Sequence, residues 1–509
     1  MKFERTKNAK RNVIWSWLNR ILTLLIPFAM RTIILYTLGN LYLGLGSLFS
    51  SILQVLNLAE LGVGSALAFA MYKPAAEDNT AELKVLLNLY KKTYTIIGII
   101  IAVVGIALMP FLTYFISGEI PSDINLYVLY AIYLATTVSS YWFFAYKGSI
   151  LTVYQRNDIS EKINIITNIV MYGIQIAGLY IYKSYYAYVI ANLITTIVKN
   201  FIISIVVSKL YPELKPNGKP SKELTKFVFK KTGAVMGHKV GGVVMNSVDN
   251  ILISAILGLT IVAQYNNYYY VLTAVMGFIS TIFTSLTPII GNYLIRENKE
   301  KSYNLFKILL YANSFILSIC SCCFISMYQP FIELWVKKEN IMPFLIVILL
   351  TVDFVTKTFR MPMLAFKDGA GLWEKDLPKP WLQVIVDLII DIWLLNTIGI
   401  YGAIISTIVA TFGVAYFYES YAVHKFCFEK KQKDYFLLTI LYCLAMAVAC
   451  LITYYVCNLI KFDNLILNLV VYFFASIFIG SVTFIILTLW TKSFKISFDF
   501  AKNKLSRKK

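Results

Sequence analysis

Long apolar stretches separated by loops that are basic on one side only run from one end of this chain to the other. About fourteen windows can be drawn, at residues 12–38, 43–70, 91–112, 126–150, 163–182, 185–209, 228–257, 261–290, 305–328, 341–366, 380–398, 400–424, 435–458 and 464–490. Each holds roughly 18–30 residues, enough to cross a hydrocarbon core of about 30 Å at about 1.5 Å per residue. With the N-terminus inside, about 37 Lys and Arg residues fall on inner loops and tails. About four fall outside: Lys183, Lys337, Lys338 and Lys461. The others, Arg20, Arg31, Lys199, Lys239, Lys357 and Arg360, lie within the windows. One missed or false span would invert every later loop and erase this bias. The pattern therefore predicts an all-α polytopic membrane protein with about 14 transmembrane helices and both termini cytoplasmic.

Composition narrows the class further. A chain that is 58% hydrophobic, 15% aromatic and only 15% charged is built for lipid rather than water. The net charge of +20 does not point to nucleic acid, because it is spread over the inner loops and both tails. The first apolar stretch is too long for a cleavable signal and lacks a small-residue cleavage site, so it reads as the first span. Of the seven cysteines, Cys320, Cys322 and Cys323 lie in one apolar window, and Cys443, Cys450 and Cys457 share one helical stripe, as packing residues do. There are only two histidines, no Cys/His metal spacing, no nucleophile elbow and no phosphate-binding glycine loop. No metal, cofactor or catalysis is expected.

The Pro- and Lys-rich stretch Tyr211–Pro220 parts the first twelve windows into two sets of six. The expected division is an N-terminal lobe over 1–210, a cytoplasmic linker over 211–226, a C-terminal lobe over 227–424, and two further helices with a basic tail over 425–509. An internal repeat supports two pseudo-symmetric six-helix lobes. Arg31–Gly39 can be laid beside Asp249–Gly258 with one gap, and each precedes a short outer loop and another long span.

Charges inside the windows are costly, about 2.5–3.5 kcal/mol at the bilayer centre, and mark either a pathway or a paired packing contact. Arg20 and Arg31 are spaced to share one helix face about 16 Å apart, with Pro27 between them predicting a kink. His238 and Asp249 repeat that spacing, with Lys239 beside His238. Arg20 and His238/Lys239 should lie at similar depth, about 12 Å in from the inner ends, and Arg31 and Asp249 at similar depth in the outer half. Lys199 closes a polar stripe with Asn192 and Thr195. Gln54, Asn57 and Glu60 drift around one face of the second window. Cations at one depth on both halves suggest an anion site, and a pyrophosphate would suit the bidentate fork of Arg. Arg31 and Asp249 form a candidate gate. Asp353, Lys357 and Arg360 share one face of window ten, and Asp387 and Asp391 repel each other in window eleven unless neutralised. Antiparallel packing should bring Asp387 near Lys357 and Asp391 near Asp353. The result is either a buried network or a proton or cation coupling site at Asp353, Asp387 and Asp391.

Residues Ser50–Leu67, followed by Met71-Tyr-Lys-Pro-Ala-Ala-Glu-Asp78, resemble the polysaccharide-exporting branch of the MOP transporter superfamily, which holds the Wzx-type flippases. Glu60, Gly62, Lys73 and Pro74 carry that motif. Ser247–Ser254 and Ala263–Tyr268 are similar to the branch's span 7–8 signature, and the similarity extends over essentially the whole chain. The resemblance implies two six-helix lobes around a cationic cavity and alternating access, with the arginines of helix one and the cations of helix seven lining the cavity. It carries that role to Arg20, Arg31 and Lys239. It also implies that two extra helices form a groove for a lipid tail, as in related lipid II flippases. The expected function is a flippase for an undecaprenyl-pyrophosphate-linked oligosaccharide, acting among membrane lipids as a monomer in a bacterial plasma membrane. A multidrug/cation antiporter of the same superfamily is the alternative, and would need acids facing the cavity. A membrane glycan polymerase or acyltransferase would need large outer loops, which are lacking.

Overall fold

The computed structural model describes residues 5–60, 62–372, 375 and 377–506. Among these the elements are all helical. The chain divides into two compact units, Met1–Ala263 and Gln264–Lys509.

In the first unit the helices are α1 (Arg5–Thr37), α2 (Asn40–Leu56), α3 (Val63–Ala76), α4 (Thr80–Leu108), α5 (Leu126–Trp142), α6 (Gly148–Val153), α7 (Asn157–Ile181), α8 (Tyr185–Leu210) and α9 (Lys222–Leu257). Their starts are set by short polar side chains that accept from otherwise unpaired backbone N–H groups. Asn79 caps α4, Asn125 caps α5, Ser184 caps α8 and Ser221 caps α9. Helix α1 runs unbroken across Pro27. The second window is broken instead. A 3₁₀ turn at Asn57–Glu60 follows α2, and Gly62, with φ of 88° in the left-handed region, opens α3. The Pro- and Lys-rich stretch is pinned to α4: Asn88 Nδ2 donates to the Gly218 carbonyl at 2.6 Å, and the Asn217 N–H donates to that of Lys84 at 3.2 Å. Helix α9, which opens the expected second lobe, packs against α2 and α3 within this first unit.

The turn from α1 to α2 is made by Gly39 (φ 103°, ψ −176°), and the turn from α9 to α10 by Gly258 (φ 92°, ψ 170°). The two stretches aligned as a repeat therefore end in the same backbone conformation, one that only glycine adopts readily.

The second unit is built from α10 (Leu259–Arg296, most of which lies here), α11 (Lys299–Val336), α12 (Phe344–Phe359), α13 (Met361–Gly369), α14 (Lys379–Ile398), α15 (Ile400–Ala410), α16 (Tyr416–Val423), α17 (Lys433–Leu459), α18 (Leu465–Thr488) and α19 (Lys492–Ser506). Helix α11 is its axis, packed by α12, α17, α18 and α19. Small polar residues let the helices approach closely there: Ser326 and Ser476 hydroxyls meet at 2.8 Å, and Ser318 donates to the Gly480 carbonyl at 3.1 Å. Around the outside, Leu444, Leu451, Phe474 and Phe478 are exposed, as lipid-facing side chains must be.

Among the described residues, eleven helices are long and apolar enough to cross a membrane. A twelfth arises if Leu126–Trp142 and Ala145–Val153, bent by 46°, form one span. The expected count of about fourteen is not reached on this criterion, because two windows are interrupted. Window 43–70 breaks at the 3₁₀ turn and Gly62. Window 341–366 breaks between Phe359 and Met361, where Pro362 takes the first turn of a new helix.

Candidate functional site

In the first unit, Arg20 and Lys199 sit on α1 and α8 inside membrane-spanning windows. Arg20 is exposed on the protein surface and Lys199 is half-buried. Among the described residues neither side chain makes an ion pair or hydrogen bond. Lys199 is preceded on α8 by Thr195, and its neighbour Asn200 donates to the Ser139 carbonyl at 3.2 Å, fixing α8 against α5. His238 and Lys239 lie on α9, with their side chains outside the described residues.

The N-terminal end of α1 is fixed by an acid the sequence reading passed over. Asp158, at the start of α7, is fully buried and faces three cations: Arg11 at 3.0 Å, Arg156 at 3.0 Å and Lys162 at 4.0 Å. Asn12 takes the Asp158 N–H at 2.8 Å and donates to the Gln155 carbonyl at 3.0 Å. Asn19 donates to Glu161 at 2.6 Å. Arg20 is thus carried on a stretch of helix strapped to α7. The available signal was an acid set directly after an Arg-Asn pair in a basic loop.

Arg31 is half-buried, and its Nη2 donates to the Ala263 carbonyl at 3.0 Å. Its charge reaches the hydroxyls of Tyr185 and Tyr188 on α8. Asp249 is buried on α9, and its neighbour Asn250 donates to Ser51 Oγ on α2 at 3.0 Å. Just beyond, the Ser117 N–H donates to the Ser254 carbonyl at 2.9 Å. Gly44 on α2 lies so close to the Leu259 carbonyl that a Cβ there would collide with it. The C-terminal end of α9 is therefore seated on α2 and on the turn after α4.

The motif residues lie at the broken second window. Glu60 accepts from the Tyr94 hydroxyl at 3.1 Å, Tyr90 donates to Tyr94 at 3.2 Å, and Tyr141 donates to Asn57 at 3.1 Å. Gly64 leaves room for this group, since a Cβ there would sit 2.9 Å from Glu60 Oε1. Pro74 is buried in the last turn of α3, while Lys73 is exposed and reaches Glu77 at 3.9 Å.

In the second unit, Asp353 on α12 is buried and pairs with Lys357 one turn on, at 2.8 Å. Lys357 also donates to the Tyr269 hydroxyl of α10 at 3.0 Å. Asp387 and Asp391 on α14 are both buried. Asp391 accepts from Ser406 at 3.2 Å, Asp387 from Thr407, and both hydroxyls come from α15. Asp387 lies within electrostatic reach of Lys357 and Asp353, and α12 and α14 each pack on α15. Asp353 Oδ1, Asp387 Oδ1 and Asp391 Oδ2 are buried carboxylate oxygens without a hydrogen-bond donor among the described residues. Buried lone pairs of this kind are normally satisfied.

Arg360 does not join this set. It turns instead to Glu419 on α16, with Nε to Oε2 at 2.9 Å and Nη2 to Oε1. Lys379 donates to the same carboxylate at 2.6 Å. Glu419 is 1% exposed, so two cations share one desolvated acid. Sequence reasoning missed Glu419, although it is an acid within an apolar window.

The chain belongs to the polysaccharide biosynthesis protein family, whose pattern matches residues 9–294, more than half of its length. No curated protein sequence matches it. Among solved structures, the lipid II flippase MurJ in an inward closed conformation is similar, with a TM-score of 0.65 and 15% identity over 94% of this chain and 97% of that one. A MATE transporter in a bent conformation gives 0.52 and 16%, over 82% and 95%. A MOP superfamily transporter from Pyrococcus furiosus gives 0.51 and 16%, over 84% and 97%. The fold is shared with these flippase and transporter structures, and the chain is a multi-pass helical membrane protein.

Proposed function

We propose that the protein is a flippase that moves an undecaprenyl-pyrophosphate-linked oligosaccharide repeat unit from the inner to the outer leaflet of a bacterial plasma membrane, by alternating access and for cell-surface polysaccharide export. The observation that carries this reading is the pair Arg20 and Lys199. Both are charges in membrane-spanning helices of a polysaccharide biosynthesis protein, and no acid among the described residues neutralises either. Such cations are costly in lipid and are retained where an anion is to be bound. With Arg31, His238 and Lys239 they would supply the positive charge a pyrophosphate needs, with Arg as its bidentate partner. Both termini are cytoplasmic in this reading, which places the basic loops inside. Reconstitution of the purified protein in vesicles with a fluorescent undecaprenyl-pyrophosphate glycan tests it directly. Movement of the label between leaflets is expected, and no movement above protein-free vesicles would reject it.

Arg31 and Asp249 would act as the gate, meeting when the outside is closed. The packing of the last turns of α9 on α2, beside Asp249, supports a role for Asp249 there. Asp387 and Asp391, with Asp353 nearby, would take a proton or cation that drives the return step. Their unsatisfied buried oxygens support that role. The same carboxylates favour a second reading, a multidrug/cation antiporter. Efflux of cationic dyes in place of glycan flipping would select it.

A further inference from the structure

The second unit contains a cavity of about 500 Å³ between the end of α11, the start of α12, the end of α17 and the start of α18. That volume is in the range of small-ligand sites. Its wall is mixed. Pro330, Phe344 and Leu465 form apolar surface, and Asn458, Glu333 and Lys461 are set among them. Two other polar wall residues are already engaged: Gln329 donates to the Met342 carbonyl at 2.9 Å, and Asn468 holds the backbone of Phe462 on both sides. Glu333 and Lys461 are not engaged. Among the described residues neither makes an ion pair or hydrogen bond, and they do not pair with each other. The rim outside carries exposed apolar side chains, with Leu459 86% exposed and Ile466 59% exposed, beside exposed Asp463 and Asn464. An acid and a base that line one cavity without pairing match a ligand with separated opposite charges. A lone phosphate would meet Glu333 as a repulsion, and a lone amine would meet Lys461.

We propose that this cavity holds the headgroup of a zwitterionic phospholipid, with its phosphate at Lys461 and its ammonium at Glu333. The acyl chains lie over the apolar wall toward the lipid-facing side of α17 and α18. Assigning the lipid to the outer leaflet rests on the proposed cytoplasmic N-terminus, whereas the match of charges does not. The site is separate from the charged residues assigned to glycan transport, so it can fail without that reading failing.

Native mass spectrometry of the delipidated full-length protein, with phosphatidylethanolamine or phosphatidylglycerol added, tests the assignment. Phosphatidylethanolamine should be retained in preference to phosphatidylglycerol. Glu333→Lys and Lys461→Glu should each lower its retention about tenfold, as expected for loss of one charge-assisted contact. The double exchange should recover most of it. Asn458→Trp, which fills the cavity and leaves both charges in place, should lower retention as well. Equal retention of the two lipids by the natural protein would overturn the proposal, as would unchanged retention in all the variants.

Discussion

Replacing Gly44 by Ala should loosen the outer seam. The added methyl would be driven into the Leu259 carbonyl oxygen, a backbone atom at the turn after α9 that cannot rotate aside as a side chain would. The Ser117–Ser254 and Asn250–Ser51 hydrogen bonds, at 2.9 and 3.0 Å, hold the same end of α9 in place and oppose its retreat. Overpacking of this kind typically costs about 1–3 kcal/mol. If the seam parts when the outer side opens, the strain falls on the closed state alone. The closed-to-open ratio then drops by roughly 5- to 150-fold. Ser51 is 4% exposed and sits about 16 Å below the outer end of α2, so Ser51→Cys should be shielded in the closed state. Labelling of that cysteine in intact cells by a membrane-impermeant maleimide, with the signal from the native cysteines subtracted, reports opening. Gly44→Ala should speed labelling at least about fivefold. An unchanged rate in a protein inserted at normal levels would refute the idea that this contact belongs to a gate.

Other outcomes follow from the charges. The Arg20→Ala/Lys239→Ala protein should insert normally but fail to export surface glycan, as measured by glycan staining of cells; normal export removes these residues from substrate binding. Arg31→Asp and Asp249→Arg should each lose export, each leaving a charge in low dielectric at a cost of several kcal/mol, and the double exchange should regain part of it. Asp387→Asn and Asp391→Asn should still bind substrate, but transport should lose its dependence on an imposed pH or potential gradient. Misfolding of both variants, or full gradient dependence, would make the carboxylates structural. Glu419→Gln would leave Arg360 without its carboxylate in a buried site and should lower stability by about 3–5 kcal/mol in thermal unfolding. An unchanged unfolding temperature would show that Arg360 finds another partner.

The all-helical, multi-pass class was legible because it rests on a sum: long apolar windows recur through the chain, and no single side chain decides the result. The paired Asp353 and Lys357 were legible because one turn of helix separates them. Glu419 was not, since its partner Arg360 lies 59 positions away and meets it only through the packing of two helices. Asp158 escaped for a similar reason, because Arg11 reaches it from another helix. The breaks in two windows were also hidden. Hydropathy averages over Asn57–Glu60 and Arg360–Pro362, whereas the helix responds to a 3₁₀ turn, a left-handed glycine or a proline ring at single positions.

The broken second window also bears on how the chain is made. Helix α2 has 17 residues and α3 has 14, each short of the roughly 20 needed to span lipid alone. The turn between them presents polar groups that lipid cannot satisfy. Their partners arrive later in synthesis: Tyr94 on α4 takes Glu60, and Tyr141 on α5 takes Asn57. The segment from Asn40 to Ala76 therefore cannot settle in the bilayer when it first leaves the ribosome. It must wait, at the insertion machinery or at the membrane surface, until about 65 more residues have followed. Its insertion is thus a post-dated event, and a ribosome stalled before Tyr141 should leave this span accessible to protease.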